Sequence, residues 1–383
     1  MKITEDILYI GVNDRDIRLF EGQYKVEHGM SYNSYLIKDE KNTVIDTVDG
    51  RFTGQWLDAL DGALSGDTPD YLVVEHMEPD HSAGIAAFCE KYPQAQIVAS
   101  AKAFVMMKNF FGREYGGITV KDNDTLSTGS HTLRFIAAPM VHWPEVMTVY
   151  DEREGIFFSA DGFGKFGTTD TDEDWACEAR RYYFGIVGKY GAQVQALLKK
   201  AAGLDIKIIC PLHGPVLKES LEYYINLYDI WSSYRPESEG VNIAYASVYG
   251  GTERAALMLA DKLRAMGCNT AVNDLTRCDI AEAVEDAFRY DRTVLASVTY
   301  NGEVFPCMRE YINHLVERGF KNRTVALIEN GSWAPMAAKT MKAMLDGCKD
   351  IKFTDNAVKI TSAPDAQTEA AVDTLAHELC NSI

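Results

Sequence analysis

The segment His76-Met-Glu78-Pro-Asp80-His81 places four ligand-type side chains within six residues, directly behind the apolar run Tyr71 to Val74. Helical geometry cannot aim all four inward, but an irregular turn at a strand end can, and Pro79 favours one. Three more candidates occupy equivalent places: His142 after Phe135 to Ala138, Asp161 after Gly155 to Ser159, and His213 after Ile206 to Ile209. Open α/β sheets build their sites outside the carboxyl ends of strands, so the fold is constrained to bring these four loops together. Each histidine taken singly fits a hydrogen-bonded surface or core role equally well; only the shared location separates the set from chance.

The donor set is imidazole and carboxylate with no thiolate, which suits iron, manganese or zinc, and a carboxylate such as Asp161 can bridge two ions. A zinc hydrolase is the competing reading. Close by, Gly162-Phe-Gly164-Lys-Phe-Gly167 fits a dinucleotide-binding turn. The acidic stretch Thr168 to Asp174 follows it, where a pyrophosphate would meet negative charge, so the glycines are expected to give the chain room to turn beside Asp161.

The second half is more regular. Strand-like Val241 to Ala246, Thr293 to Val298 and Thr324 to Ile328 alternate with helix-like Glu253 to Met266, Met308 to Arg318 and Met336 to Leu345, which predicts a doubly wound parallel sheet. Between the first strand and helix lies Ser247-Val248-Tyr249-Gly250-Gly251-Thr252. Small and hydroxyl residues at a helix N-terminus make an anion nest suited to a monophosphate. Thr299-Tyr300-Asn301-Gly302 and Asn330-Gly331-Ser332-Trp333-Ala334-Pro335 follow two further strands, each joining glycine to an aromatic ring as a flat isoalloxazine requires.

Pro236 to Gly240 reads as a helix stop and short polar linker, which divides the chain into expected domains 1–238 and 239–383. The formal charge of −18 disfavours nucleic acid and anionic lipid. No apolar run approaches membrane-spanning length and the N-terminus is not signal-like, so a cytoplasmic, membrane-free protein is expected. The eight cysteines show neither a CxxC pair nor regular spacing and are expected to be buried free thiols.

The ligand spacing resembles the metallo-β-lactamase pattern H-x-[HE]-x-D-H in its variant with Glu at the third position, and that variant is similar to the flavodiiron proteins. Cys210-Pro-Leu-His213-Gly-Pro215 and Glu329-Asn-Gly-Ser-Trp-Ala-Pro335 look like motifs of the same family, and the three loops resemble those that hold FMN in flavodoxins. The resemblance implies an α/β chain in which a metallo-β-lactamase-like αββα sandwich precedes a flavodoxin-like doubly wound parallel sheet. It implies FMN and two carboxylate-bridged irons, with His76, Glu78 and His142 on one iron, Asp80, His81 and His213 on the other, and Asp161 between them. His28 is left outside the ligand set, as a neighbour of the site or an ordinary turn residue.

The activity implied is reduction of O2 to water and/or of NO to N2O; the alternative is a zinc-dependent hydrolase fused to a flavodoxin-like domain. A head-to-tail homodimer, or a dimer of dimers, is expected to bring one copy's FMN to the other's irons, with Trp333 near that junction. No CxxC pairs precede Ile383, so an external electron donor such as rubredoxin is expected.

Overall fold

Tyr71–Val74 is a buried strand, and its neighbours place it in the middle of a sheet. A computed structural model describes residues 1–381. The chain divides into two compact units, Met1–Asp229 and the residues from Ile230 onward.

The first unit holds a six-stranded and a five-stranded sheet. The first runs Ile7–Tyr9, Tyr35–Ile37, Thr43–Ile45, Tyr71–Val74, Gln96–Ser100, Gly117–Val120. The second runs Thr125–Ser127, Thr132–Ala137, Met147–Asp151, Ile156–Phe158, Ile208–Cys210. Tyr35, Ile45, Val73 and Val98 of one sheet share a core with Phe135, Val149, Phe158 and Cys210 of the other. At about 25 cal/mol per Å² of apolar surface, burial on this scale is the main driving force for joining the sheets. Helices such as Thr53–Leu64 and Ala101–Phe111 complete the αββα sandwich, each presenting an apolar stripe inward (Trp56, Leu60 and Leu64; Ala103 and Met107).

The four ligand-bearing strand ends fall where the apolar runs stop. One detail differs from expectation: Pro79–Ser82 is a short helical turn, with Pro79 in its first turn, where the missing N–H costs nothing.

The second unit has a parallel sheet in the order Thr270–Asp274, Ser238–Ala246, Tyr290–Tyr300, Arg323–Asn330, Ile351–Phe353, with Val358–Ile360 also on Arg323–Asn330. Numbered along the unit this is 2-1-3-4-5, the flavodoxin-like doubly wound order. Buried Ala255, Leu259 and Leu263 of helix Gly251–Ala265 pack with Val372, Leu375 and Leu379 of helix Ala366–Asn381 in its core.

The expected linker runs directly into structure: Ser238 already pairs with Tyr290, ahead of a bulge. The unit boundary at Asp229 falls inside the helix Leu221–Ser232. The expectation of free thiols needs correction, because Cys268 and Cys380 form a disulfide with Cα atoms 6.7 Å apart. They are 112 residues apart in sequence and meet because the C-terminal helix packs beside helix Gly251–Ala265, which no local spacing reveals. Among the described residues no helix is long and apolar enough to cross a membrane.

Candidate metal centre and cofactor cleft

All seven sequence-predicted ligand residues come together in the first unit as two groups. His76, Glu78, His142 and Asp161 form one, and Asp80, His81 and His213 the other. Within the first, Glu78 Oε2 lies 3.2 Å from His76 Nε2 and 3.0 Å from His142 Nε2. Within the second, His81 Nε2 and His213 Nε2 are 3.0 Å apart, and Asp80 Oδ2 lies 3.5 and 3.4 Å from them.

Asp161 stands between the groups. Its Oδ2 faces His142 Nε2 at 3.1 Å and His76 Nε2 at 3.4 Å, while its Oδ1 faces His81 Nε2 at 3.3 Å and His213 Nε2 at 3.7 Å. The glycines after it make room: a Cβ on Gly164 would lie 3.0 Å from Asp161 O and 3.4 Å from His213 Cβ.

The charges explain why such a group of side chains needs a cation. Burial opposes ionisation of Asp161, yet His76, His142 and His81 hold its carboxyl well below the usual carboxylate range. Burial likewise opposes ionisation of Glu78, and its hydrogen bonds with His142 and His76 prevail. Burial lifts Asp80 to about 7, against the pull of His81 and with the push of Glu78 and Asp161. Burial would discharge the imidazoles, but neighbouring carboxylates raise His81 and His142 to about 9 and His76 well above its ordinary value. His213, buried beside His81, falls to about 4.

Carboxylates and imidazoles here favour one another's charged forms, and divalent ions bound among them would displace protons from the imidazoles. Both Asp80 oxygens and Asp161 Oδ1 are buried without a hydrogen-bond partner. Opposed imidazole nitrogens, orphaned carboxylate oxygens and a purely N/O donor set fit two hard or borderline divalent cations sharing one carboxylate.

Sequence reasoning missed the groups that aim these ligands. Buried Glu145 accepts from His76 Nδ1–H and from Met77 N–H, both at 2.9 Å. Ser31 O accepts from His213 Nδ1–H at 2.7 Å. Each leaves Nε2 free for a metal. The only signal for Glu145 was its place in His142-Trp-Pro-Glu145. His28 itself lies outside: it is half exposed and faces Glu173 at 3.6 Å. The rings of Phe20, Tyr32 and Tyr182, all buried, pack within 5.5–6.1 Å of the His213 ring.

In the second unit the three predicted loops converge on one cleft of about 580 Å³. Every predicted loop residue lines it, Asn330 included, except Pro335 and Gly250, the latter capping helix Gly251–Ala265 in the left-handed region at φ 81°; Val298, Met336 and Ser362 line it as well. Ser247 Oγ and Thr252 Oγ1 are buried there without partners. Tyr249 and Trp333 stand at the rim, 96% and 92% exposed. Orphaned hydroxyls at a helix N-terminus fit a phosphate, and bare aromatic faces fit a flat ring system, so the cleft suits FMN.

Residues 30–214 match the model of the ODP family beta lactamase. A flavo-diiron protein of Clostridium acetobutylicum is 30% identical over 370 residues, covering 93% of this chain and 92% of the relative. A nitric oxide reductase of Moorella thermoacetica is 29% identical, covering 91% and 90%. Among solved structures, the rubredoxin oxygen:oxidoreductase of the anaerobe Desulfovibrio gigas superposes with a TM-score of 0.93 at 25% identity, over 100% of this chain and 98% of that one. Similarity that runs through both units, at this identity and over nearly the full length of the relative, means that this chain belongs to the flavodiiron protein family.

Proposed function

We propose that this chain is an oxidoreductase that reduces O2 to water and/or NO to N2O at a di-iron site fed by FMN. The observation that carries the reading is Asp161, which turns one oxygen to each of two histidine-bearing groups. His76, Glu78 and His142 would hold one iron, Asp80, His81 and His213 the other, and Asp161 would bridge. The relatives named for nitric oxide reduction and for rubredoxin and oxygen support the substrates and do not favour the zinc-hydrolase alternative.

When bound, two ferrous ions and a reduced flavin hold four reducing equivalents, enough to take one O2 to water without releasing partly reduced oxygen. The protein's own part is positioning. Glu145 and Ser31 O fix the histidine tautomers, and Asp161 keeps the two groups in register. Phe20, Tyr32 and Tyr182 give the His213 side of the site apolar walls, which favour an uncharged diatomic gas over ions.

Residues 1–238 are proposed as the di-iron domain and 239–383 as the FMN domain, with the three loops and the helix N-terminus at Gly251 around the flavin. A head-to-tail homodimer is part of the proposal, supported by the exposed Tyr249 and Trp333, whose apolar surface a second copy would cover. The donor is proposed to be rubredoxin or a similar small redox protein, and the setting cytoplasmic.

Anaerobically reduced protein mixed with O2 or with NO in a stopped-flow instrument tests the activity. Flavin and iron reoxidation with loss of gas is expected; a reduced protein that consumes neither gas would overturn it.

A further inference from the structure

The cleft has a wall that the three predicted loops do not supply. Ser362 follows the strand Val358–Ile360 and lines the same cleft. Its backbone is left-handed, at φ 69°, which a non-glycine residue keeps only where its surroundings hold it. Buried Asn330 does so: Nδ2–H donates to Ser362 O at 3.1 Å, and Oδ1 accepts from Ser362 N–H at 3.0 Å. An amide that bonds both backbone groups of one residue acts as a rung of sheet and leaves that residue a single orientation. Ser362 Oγ–H then donates to Ser332 Oγ at 2.7 Å, joining the turn to the third loop.

The clamped turn presses on one end of the cleft. A Cβ on Gly251 would lie 2.1 Å from Ser362 O and 2.7 Å from Asn330 Nδ2, so only glycine fits there. Gly251 is the first residue of its helix, and the orphaned hydroxyls of Ser247 and Thr252 stand on either side of it in sequence. Hydroxyls without protein partners beside a helix N-terminus suit an anion.

We infer that Ser362, braced by Asn330 of the third loop, forms a fourth wall of the cleft, which holds the phosphate-binding turn in place and so selects the flavin monophosphate over unphosphorylated riboflavin. Asn330 is a positioning residue here: it acts through Ser362 and Gly251. This inference rests on the flavin reading above.

The test titrates flavin-free, full-length protein with FMN and with riboflavin, followed by quenching of flavin fluorescence. In Asn330→Ala, FMN affinity is expected to fall about tenfold while riboflavin affinity stays within about twofold of the wild type. A merely structural role would weaken both flavins alike; that result, or an unchanged FMN affinity, overturns the inference. Ser362→Gly keeps the left-handed backbone, removes the hydroxyl that meets Ser332, and is expected to lose about threefold for FMN while riboflavin affinity stays within about twofold. It keeps the test decisive if Asn330→Ala does not fold. Wild-type protein that binds neither flavin would overturn the flavin reading and the wall with it, whereas a wild type that binds FMN, beside variants that weaken both flavins alike or leave FMN affinity unchanged, would overturn the wall alone.

Discussion

His76 donates its Nδ1–H to Glu145 Oε1 at 2.9 Å, and both side chains are wholly removed from solvent. Burial opposes ionisation of Glu145, yet the bond with His76 holds its carboxyl below the usual range, so the carboxylate locks the imidazole with Nε2 facing Glu78 and His142. Glu145→Ala is expected to lower iron affinity about 10–100-fold while leaving flavin content unchanged. Glu145→Gln, which keeps an acceptor, should lose less. Iron and flavin analysis of the purified variants checks both; full iron in Glu145→Ala would show that the bond does not aim the ligand.

Asp161→Ala and Glu78→Ala are expected to abolish gas reduction and leave flavin absorbance intact, because metal groups and flavin cleft lie in separate compact units. Loss of flavin in either variant, read from the visible spectrum, would mean that the halves are not independent modules.

His131 predicts a pH-dependent stability. Its Nδ1 faces Asp151 at 3.0 Å and its Nε2 faces Asp6 at 3.4 Å, with the ring fully buried. Burial lowers its proton affinity, but the two carboxylates raise it above the ordinary value. A folded-state affinity higher than the unfolded one, near pH 6.5, adds stability that is complete below that pH and is lost as the pH rises through the folded value. His131→Asn should therefore cost about 1–3 kcal/mol at pH 6 and less at pH 9. Denaturant unfolding at the two pH values measures this; a penalty that grows with pH would contradict the sign.

Six free thiols are expected under denaturing conditions in protein prepared without reductant, and eight after reduction, since Cys268 and Cys380 are paired and six other cysteines are free. Their Cα separation of 6.7 Å lies within the range a disulfide spans. Eight thiols before reduction would rule the pairing out.

Much of both sites was legible because their residues follow strand ends. His142, Asp161 and His213 each stand just past an apolar run, and a short apolar run bounded by turn residues is readable as a buried strand from its length and flanks. The three flavin loops are legible for the same reason, with glycine and hydroxyl residues marking them. Glu145, Ser362 and the bracing role of Asn330 were not, because each acts through one tertiary hydrogen bond or a pair of them, to partners 32 to 69 residues away. The strand Thr270–Asp274 was missed because its residues are mostly half-buried and show no clean alternation. Helix Ile280–Arg289 has a buried stripe, but it follows a turn-rich stretch that hides its start.

Counting iron tests the central claim most directly. Metal-free protein reconstituted anaerobically with ferrous ion and freed of excess should retain about two irons per chain, and Asp161→Ala, which removes the carboxylate facing both groups, should retain fewer than about one. One iron per chain in the wild type, or two retained without Asp161, would contradict the shared-carboxylate centre.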